Sequence, residues 1–315
     1  MNIVILDGYT SNPGDLSWEP FENLGSLTVY DSTLPHQVID RCRDCEIVIS
    51  NKTPLTKELL ENMPWVTYIG LLSTGYNIVD LETATRLNIP VAYVPDYSTN
   101  AVAQHTFALL LELCNHVGAH ATAVREGQWE QCSRFCFWNA PLTELSGKTF
   151  GIFGMGNIGK KVAAIADALG MKVIYHSRTP KKDLPYQSVD FETLLTESDV
   201  LSLHCPLTPQ TRGMIHKETL AKMKPTAFLL NTSRGPVFNE EDVAQALKDH
   251  KLAGVGVDVL GQEPPIEGSP LISAPNCVIT PHIAWAAKET RERLIAWAAE
   301  NLQAFLEGHP QNLAK

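Results

Sequence analysis

A glycine-rich loop in the middle of the chain constrains its fold more than any other feature. Residues 154–159 follow the pattern G-x-G-x-x-G. An apolar run at 149–153 precedes the loop, a helix-like segment starts at 160, and a second apolar run covers 171–175. Strand, glycine turn, helix and strand in this order are typical of dinucleotide-binding domains. A glycine turn with only a structural role is the alternative.

Each glycine has its own role in such a loop. Gly154 permits the tight turn, Gly156 lets the backbone approach a pyrophosphate, and Gly159 lets the helix pack closely on the strand. The N-terminus of the helix that follows then offers free N–H groups to the anion. We therefore predict that these three glycines and the helix N-terminus bind the diphosphate of a dinucleotide.

Length and composition narrow the class of protein. The 315 residues suggest two domains, and 44% hydrophobic with 19% charged residues is typical of a globular chain. A net charge of −10 argues against nucleic acid or an anionic membrane as partner. No apolar run approaches the roughly 20 residues of a membrane span. The segment 1–7 reads as a strand rather than a signal peptide, so we expect a cytoplasmic location.

The seven cysteines are scattered and odd in number. Cys42 and Cys45 form a C-x-x-C pair without a second pair of ligands, and Cys132 and Cys136 lack histidine partners. We expect free thiols and no metal site.

Short apolar runs alternate with helix-like stretches along both halves of the chain. Such alternation predicts an α/β protein with two doubly wound parallel sheets, one flavodoxin-like and one a Rossmann sheet of six strands. The predicted strands are 3–6, 27–30, 46–50, 66–72 and 90–94 in the first half, then 149–153, 172–176, 200–205, 226–231, 254–259 and 278–280.

The mid-chain position of the glycine loop predicts an inserted domain. We place the dinucleotide-binding domain at 99–288 and the substrate domain at 1–98 plus 289–315. Ser98 or Thr99 is a plausible N-cap for a long apolar helix, and 288–306 is amphipathic. The aromatic-rich region 116–145 fits neither sheet, so an arm against another subunit, a lid and an ordinary cap all stay open.

Several ordered motifs follow the glycine loop at or beyond the ends of predicted strands, where open α/β sheets bind ligands. With them the chain resembles the D-2-hydroxyacid dehydrogenase family over nearly its whole length. Trp138 and Trp285 make the glycerate dehydrogenases, or hydroxypyruvate reductases, the most similar members. The motifs are 204–208 with 211–213, 231–235, Glu263-Pro264 and Pro281-His282.

The resemblance implies transfer of a hydride between NAD(P)H and a small 2-keto acid, and the residue chemistry agrees. His282 has the intrinsic pKa of a proton donor near neutral pH. Glu263 would orient and charge that imidazole, and Arg234 would bind the substrate carboxylate and polarise the keto oxygen. Taken singly, each has a plainer interpretation as a polar surface residue.

The resemblance also implies ligand contacts. It places Asn157 and Ile158 over the pyrophosphate, one group near the adenosine, two residues near the nicotinamide, and a loop of small residues at the substrate carboxylate. A turn or N-cap role for Asp258 and a plain turn at 73–75 stay open. The residues are Cys205, Pro206 and Thr211 for adenosine, Thr232 and Asp258 for nicotinamide, Ser233 as a further cofactor contact, and Ser73, Thr74 and Gly75 for substrate, with Asn100 and Gln104 as weaker candidates.

One departure from the family pattern concerns the cofactor. NAD-preferring members end the second strand in an acid that binds the ribose diol, whereas here Ser177 and Arg178 follow that strand. A hydroxyl and a guanidinium would bind a 2′-phosphate, and His176 would add to the pocket. We predict that NADPH is used at least as well as NADH; a solvated Arg178 with NADH as cofactor is the alternative.

The resemblance makes hydroxypyruvate or glyoxylate the expected substrate, with domain closure excluding water. The resemblance also implies that the chain forms a homodimer, with residues 118–145 as the contact region. Two other functions stay open. One is a dinucleotide-sensing, corepressor-like binding protein. The other is a formate or phosphite dehydrogenase, although formate-specific relatives replace the residue at Glu263 by glutamine.

Overall fold

Two compact units make up the computed structural model, which describes residues 1–181 and 183–314. Unit 1 comprises Met1–Ser98 and Trp285–Lys315, and unit 2 comprises Thr99–Ala284. The second boundary therefore falls four residues before the position expected from the sequence. Lys315, the last residue of the expected range, lies outside the described residues.

Unit 1 contains a parallel sheet of five strands in the order β2-β1-β3-β4-β5. This 2-1-3-4-5 order is that of flavodoxin-like folds, so the predicted class is confirmed. Strands β1, β3 and β4 are buried along almost their whole length because helices cover both faces. The strands are β1 (Asn2–Ile5), β2 (Ser26–Val29), β3 (Ile47–Ser50), β4 (Tyr68–Leu71) and β5 (Val91–Ala92).

Unit 2 contains a parallel sheet of seven strands in the order β12-β11-β10-β9-β6-β7-β8. Counted within the unit this is the Rossmann order 3-2-1-4-5-6 with one further strand. The strands are β6 (Thr149–Phe153), β7 (Lys172–His176), β8 (Gln187–Ser188), β9 (Val200–Leu203), β10 (Phe228–Asn231), β11 (Gly254–Val257) and β12 (Cys277–Ile279).

The prediction of six strands in this sheet was wrong. The additional strand, β8, is only two residues long, polar and exposed, and it pairs with β7 at the sheet edge. It lacks the apolar run by which the other strands are recognised. Consequently Cys205 follows the fourth strand of this sheet in chain order, whereas the strand predicted at 200–205 was the third.

Helices connect the strands, and side-chain caps start several of the short ones. Thr56, Asp80, Asp190 and Asn239 each accept a hydrogen bond from a backbone N–H in the first helical turn. The helices are α1 (Glu19–Glu22), α2 (Val38–Cys42), α3 (Lys57–Glu61), α4 (Leu81–Arg86), α5 (Thr99–Asn115), α6 (Val117–Arg125), α7 (Asn157–Ala168), α8 (Phe191–Glu197), α9 (Lys217–Leu220), α10 (Glu240–Lys248) and α11 (Lys288–Leu306).

Two long helices complete the cores. In unit 1, Leu294 and Ile295 of α11 pack with Ile3 and Ile5 of β1. In unit 2, α5 packs against β10, β11 and β12. Within 1–181 and 183–314, no single helix has the length and apolarity to cross a membrane; α5 and α6, bent by 57° at their junction, meet those criteria only as a pair.

Candidate active site

The glycine loop follows β6 at the point where the strand order of unit 2 reverses. Gly154 has φ +102°, and a Cβ there would stand 2.6 Å from the His204 carbonyl oxygen beyond β9. A Cβ on Gly159 would stand 2.2 Å from the Gly154 carbonyl oxygen. Both positions therefore require glycine for backbone conformation or for close packing of α7 on the turn.

Gly156 differs from these two glycines. Its φ of −78° suits any residue, and a Cβ there would meet nothing within 4 Å. Open space beside this backbone, directly before the N-terminus of α7, is what a pyrophosphate needs in order to approach. Asn157 and Ile158 open α7, so their N–H groups have no acceptor within the helix. The loop fits a dinucleotide.

The end of β7 carries no carboxylate. Ser177 donates its hydroxyl to the Thr179 carbonyl at 2.8 Å, and Arg178 is exposed. His176 stacks on Phe153, with ring centroids 5.2 Å apart, and its Nδ1 lies 3.0 Å from the Val189 carbonyl oxygen. The imidazole is therefore held against the sheet edge by its ring face and by one nitrogen.

The segment after β9 forms a compact turn. Thr211 donates to the Pro206 carbonyl at 2.7 Å and accepts the Thr208 N–H at 2.8 Å. Burial raises the pKa of the Cys205 thiol to about 11, so this thiol stays protonated at neutral pH. The adenosine contacts of Cys205, Pro206 and Thr211 stay predictions.

The structure brings His282 and Glu263 together. His282 Nδ1 lies 2.6 Å from Glu263 Oε2, and the Glu263 Oε1 accepts the Leu260 N–H at 2.9 Å. Since a carboxylate only accepts, the proton of this bond is assigned to Nδ1, which leaves Nε2 for other partners. The His282 side chain remains 27% exposed. A carboxylate-oriented imidazole open to solvent is an arrangement suited to proton transfer.

Arg234 lies in the turn after β10 and is exposed. Within the described ranges it forms no ion pair, and its Nη1 donates to the neighbouring Ser233 carbonyl. Asn231 shapes this turn: its Nδ2 donates to the Arg234 carbonyl, and its Oδ1 accepts the N–H and the hydroxyl of Ser233. The sequence did not indicate this role for Asn231, although an asparagine at a strand end is a signal for such a turn.

Asp258 directly follows β11 and is only 1% exposed. Its carboxylate accepts the N–H groups of Ile283 and Ala284 at 2.9 and 2.8 Å and the hydroxyl of Thr280 at 2.6 Å. The side chain thus anchors the loop that carries His282. The contact of Asp258 with nicotinamide stays a prediction, as do the cofactor contacts of Thr232 and Ser233.

In unit 1, residues 73–75 follow β4. Ser73 and Thr74 donate their hydroxyls to the carbonyls of Gly75 and Val94. The three backbone N–H groups of this turn donate no hydrogen bond to any residue in the described part of the chain. Free N–H groups in a small-residue turn fit the predicted carboxylate-binding role.

Comparisons with known proteins show the family of this chain. A family model for the D-isomer specific 2-hydroxyacid dehydrogenase, NAD binding domain, matches residues 107–284. Hydroxypyruvate reductase of Blautia hydrogenotrophica is 48% identical over 319 residues, covering 99% of either chain. Glycerate dehydrogenase of Methylorubrum extorquens is 40% identical over 289 residues, covering 91% of either chain. The chain belongs to the D-isomer specific 2-hydroxyacid dehydrogenase family.

A solved structure extends the likeness to the whole fold. An acyclic imino acid reductase in complex with NADPH and D-Arg is 31% identical, with a TM-score of 0.88 and 100% coverage of both chains. The fold, the glycine loop and the family together define an NAD(P)-dependent D-2-hydroxyacid dehydrogenase.

Proposed function

We propose that this dehydrogenase reduces hydroxypyruvate to D-glycerate or glyoxylate to glycolate. The 2.6 Å bond between His282 and Glu263 is the observation that carries the proposal, because it supplies an oriented proton donor. The relatives named for hydroxypyruvate and glycerate support the choice of substrate.

The chain's own residues account for the remaining steps. When bound, the nicotinamide supplies the hydride. Arg234 binds the substrate carboxylate and polarises the keto oxygen. His282 Nε2 donates a proton to the oxygen as the alcohol forms. Glu263 holds the ring in orientation and stabilises its charged form.

A turnover screen tests the substrate. We expect kcat/KM for hydroxypyruvate or glyoxylate to exceed that for pyruvate and for a branched 2-keto acid by at least about tenfold, the size of effect that a small substrate pocket provides. The screen includes formate and phosphite in the oxidative direction. Dominant turnover of either, or of a bulky keto acid, contradicts the proposal.

For the cofactor, we propose that NADPH is used at least as well as NADH, with Ser177 and Arg178 binding the 2′-phosphate. Replacing Arg178 with alanine is expected to lower kcat/KM for NADPH about tenfold, or ~1.4 kcal/mol, and to leave that for NADH unchanged. Lys172→Ala, at the exposed start of the same strand, is the matched control and should change neither. A wild-type preference for NADH above about tenfold disproves the proposal.

The proposed assembly is a homodimer through residues 118–145. This region holds an exposed apolar cluster, Trp129, Phe135, Trp138 and Leu142, in which Phe135 is 91% exposed. Hydrogen bonds connect parts of this region: Trp129 Nε1 donates to the Phe135 carbonyl, and His120 Nε2 accepts the Asn139 N–H. A second copy of the chain would cover the cluster.

Light scattering after gel filtration tests the assembly. The wild type should have twice the mass of one chain, whereas Phe135→Ser with Trp138→Ser should give monomers because the apolar contact is lost. Ile266→Ser removes an equally exposed apolar side chain from a different loop and should leave the dimer intact. A monomeric wild type refutes the homodimer.

A further inference from the structure

The loop that carries His282 has an unfavourable backbone conformation. His282 has φ +54°, in the left-handed region that residues with a Cβ adopt at a cost of roughly 1 kcal/mol or more. The two following N–H groups, of Ile283 and Ala284, both donate to the buried Asp258 carboxylate. These hydrogen bonds offset the backbone strain. The bonding of Asp258 to the loop therefore determines the position of the His282 imidazole.

A third donor to Asp258 brings in a residue outside the mechanism. Thr280 Oγ1 lies 2.6 Å from Asp258 Oδ1, and His105 Nε2 lies 2.8 Å from the same hydroxyl. A hydroxyl has one proton, and Thr280 donates it to the Asp258 carboxylate. The bond between His105 and Thr280 therefore requires a proton on His105 Nε2, which donates to the hydroxyl oxygen. His105 Nε2 is also 3.5 Å from Asp258 Oδ1.

The neighbouring residue on the same helix reaches the other functional loop. Thr106 Oγ1 lies 3.1 Å from Thr232 Oγ1, in the turn that carries Arg234, and Thr106 also donates to the Val102 carbonyl. Consecutive residues of α5 therefore bond to the turn of Arg234 and to the loop of His282. Since α5 packs on the three strands that end at these loops, it is a rigid support for both.

We propose that His105 is a positioning residue for His282. Through the Thr280 hydroxyl it completes the bonding of Asp258, which holds the backbone of Ile283 and Ala284. The side-chain contacts of His105 are with the Thr280 hydroxyl and the Asp258 carboxylate, so it acts on His282 through the loop. The inference rests on the proposed function insofar as it assigns proton transfer to His282.

Two variants separate the hydrogen bond that His105 donates from the packing of its side chain. His105→Leu keeps an apolar volume but removes the donor, whereas His105→Gln keeps an N–H at similar reach. In the Leu variant we expect deuterium exchange of the amides at 283 and 284 to become about tenfold faster. We also expect kcat to fall about tenfold while KM for the dinucleotide stays within about twofold. The Gln variant should restore most of both values.

Leu111→Ala, at an exposed position of the same helix, is the control and should change neither exchange nor kcat. The proposal is overturned if His105→Leu keeps the wild-type amide exchange and kcat. It is also overturned if His105→Gln has the same faster exchange and lower kcat as His105→Leu. If the wild type reduces none of the 2-keto acids, the proposed function fails, whereas amide exchange still decides the positioning role of His105.

Discussion

Replacing His282 with alanine is expected to lower kcat for 2-keto acid reduction at least about a hundredfold, because it removes the imidazole that is proposed to donate the proton to the keto oxygen. The dinucleotide dissociation constant, measured by fluorescence titration, should stay within about twofold of the wild type. The cofactor loop at residues 154–159 follows β6, whereas His282 follows β12. Loss of the imidazole should therefore leave the cofactor loop intact.

The left-handed backbone at His282 calls for a second variant. Alanine at φ +54° is strained, whereas asparagine tolerates that region. His282→Asn should therefore lose as much activity as His282→Ala while keeping the wild-type melting temperature within a few degrees. Wild-type turnover in the asparagine variant would rule out the acid–base role.

The second large effect is expected at Gly156. Gly156→Ala should weaken dinucleotide binding about a hundredfold or more, because the new methyl group would occupy the open space through which a pyrophosphate approaches the loop. The fold should tolerate it. Alanine is a poorer N-cap than glycine, so we expect a loss of at most about 1 kcal/mol in the free energy of unfolding.

Gly159→Ala is the matched comparison, since its Cβ would clash with the Gly154 carbonyl oxygen. This variant should lose several degrees of melting temperature, in contrast to Gly156→Ala. Measuring melting temperature and dissociation constant for both separates a ligand-facing glycine from a packing glycine. Equal binding by Gly156→Ala and wild type would exclude a pyrophosphate at this position.

The sheet strands with continuous apolar runs were predictable from the sequence. Parallel strands buried on both faces read as such runs, and β6 and β7 have the predicted bounds. Strand β8 was not predictable, because two exposed polar residues have no pattern and form a strand only by pairing with β7. The segment 118–145 was recognised as a region outside both sheets, and its contact with a second copy of the chain stays a prediction.

The candidate site also has one part that was predictable from the sequence and one part that was not. Arg234, Glu263 and His282 were predicted because charged side chains stand at strand ends in an order that resembles a known family. The bonding of Asp258 was beyond sequence reasoning, since its partners are backbone N–H groups 25 and 26 residues away and backbone donors have no sequence signature. The sequence analysis assigned no role to His105, which lies in an apolar helix. The adjacent polar pair of histidine and threonine in that helix was the one signal for it.

The insertion of unit 2 into unit 1 sets an order of events during synthesis. Residues 1–98 emerge from the ribosome with the complete five-stranded sheet, but the apolar face around Ile3 and Ile5 is covered by α11. That helix emerges only after all of unit 2 has been translated. The nascent first domain therefore presents an uncovered sheet face, a surface that chaperones bind, until α11 has left the ribosome.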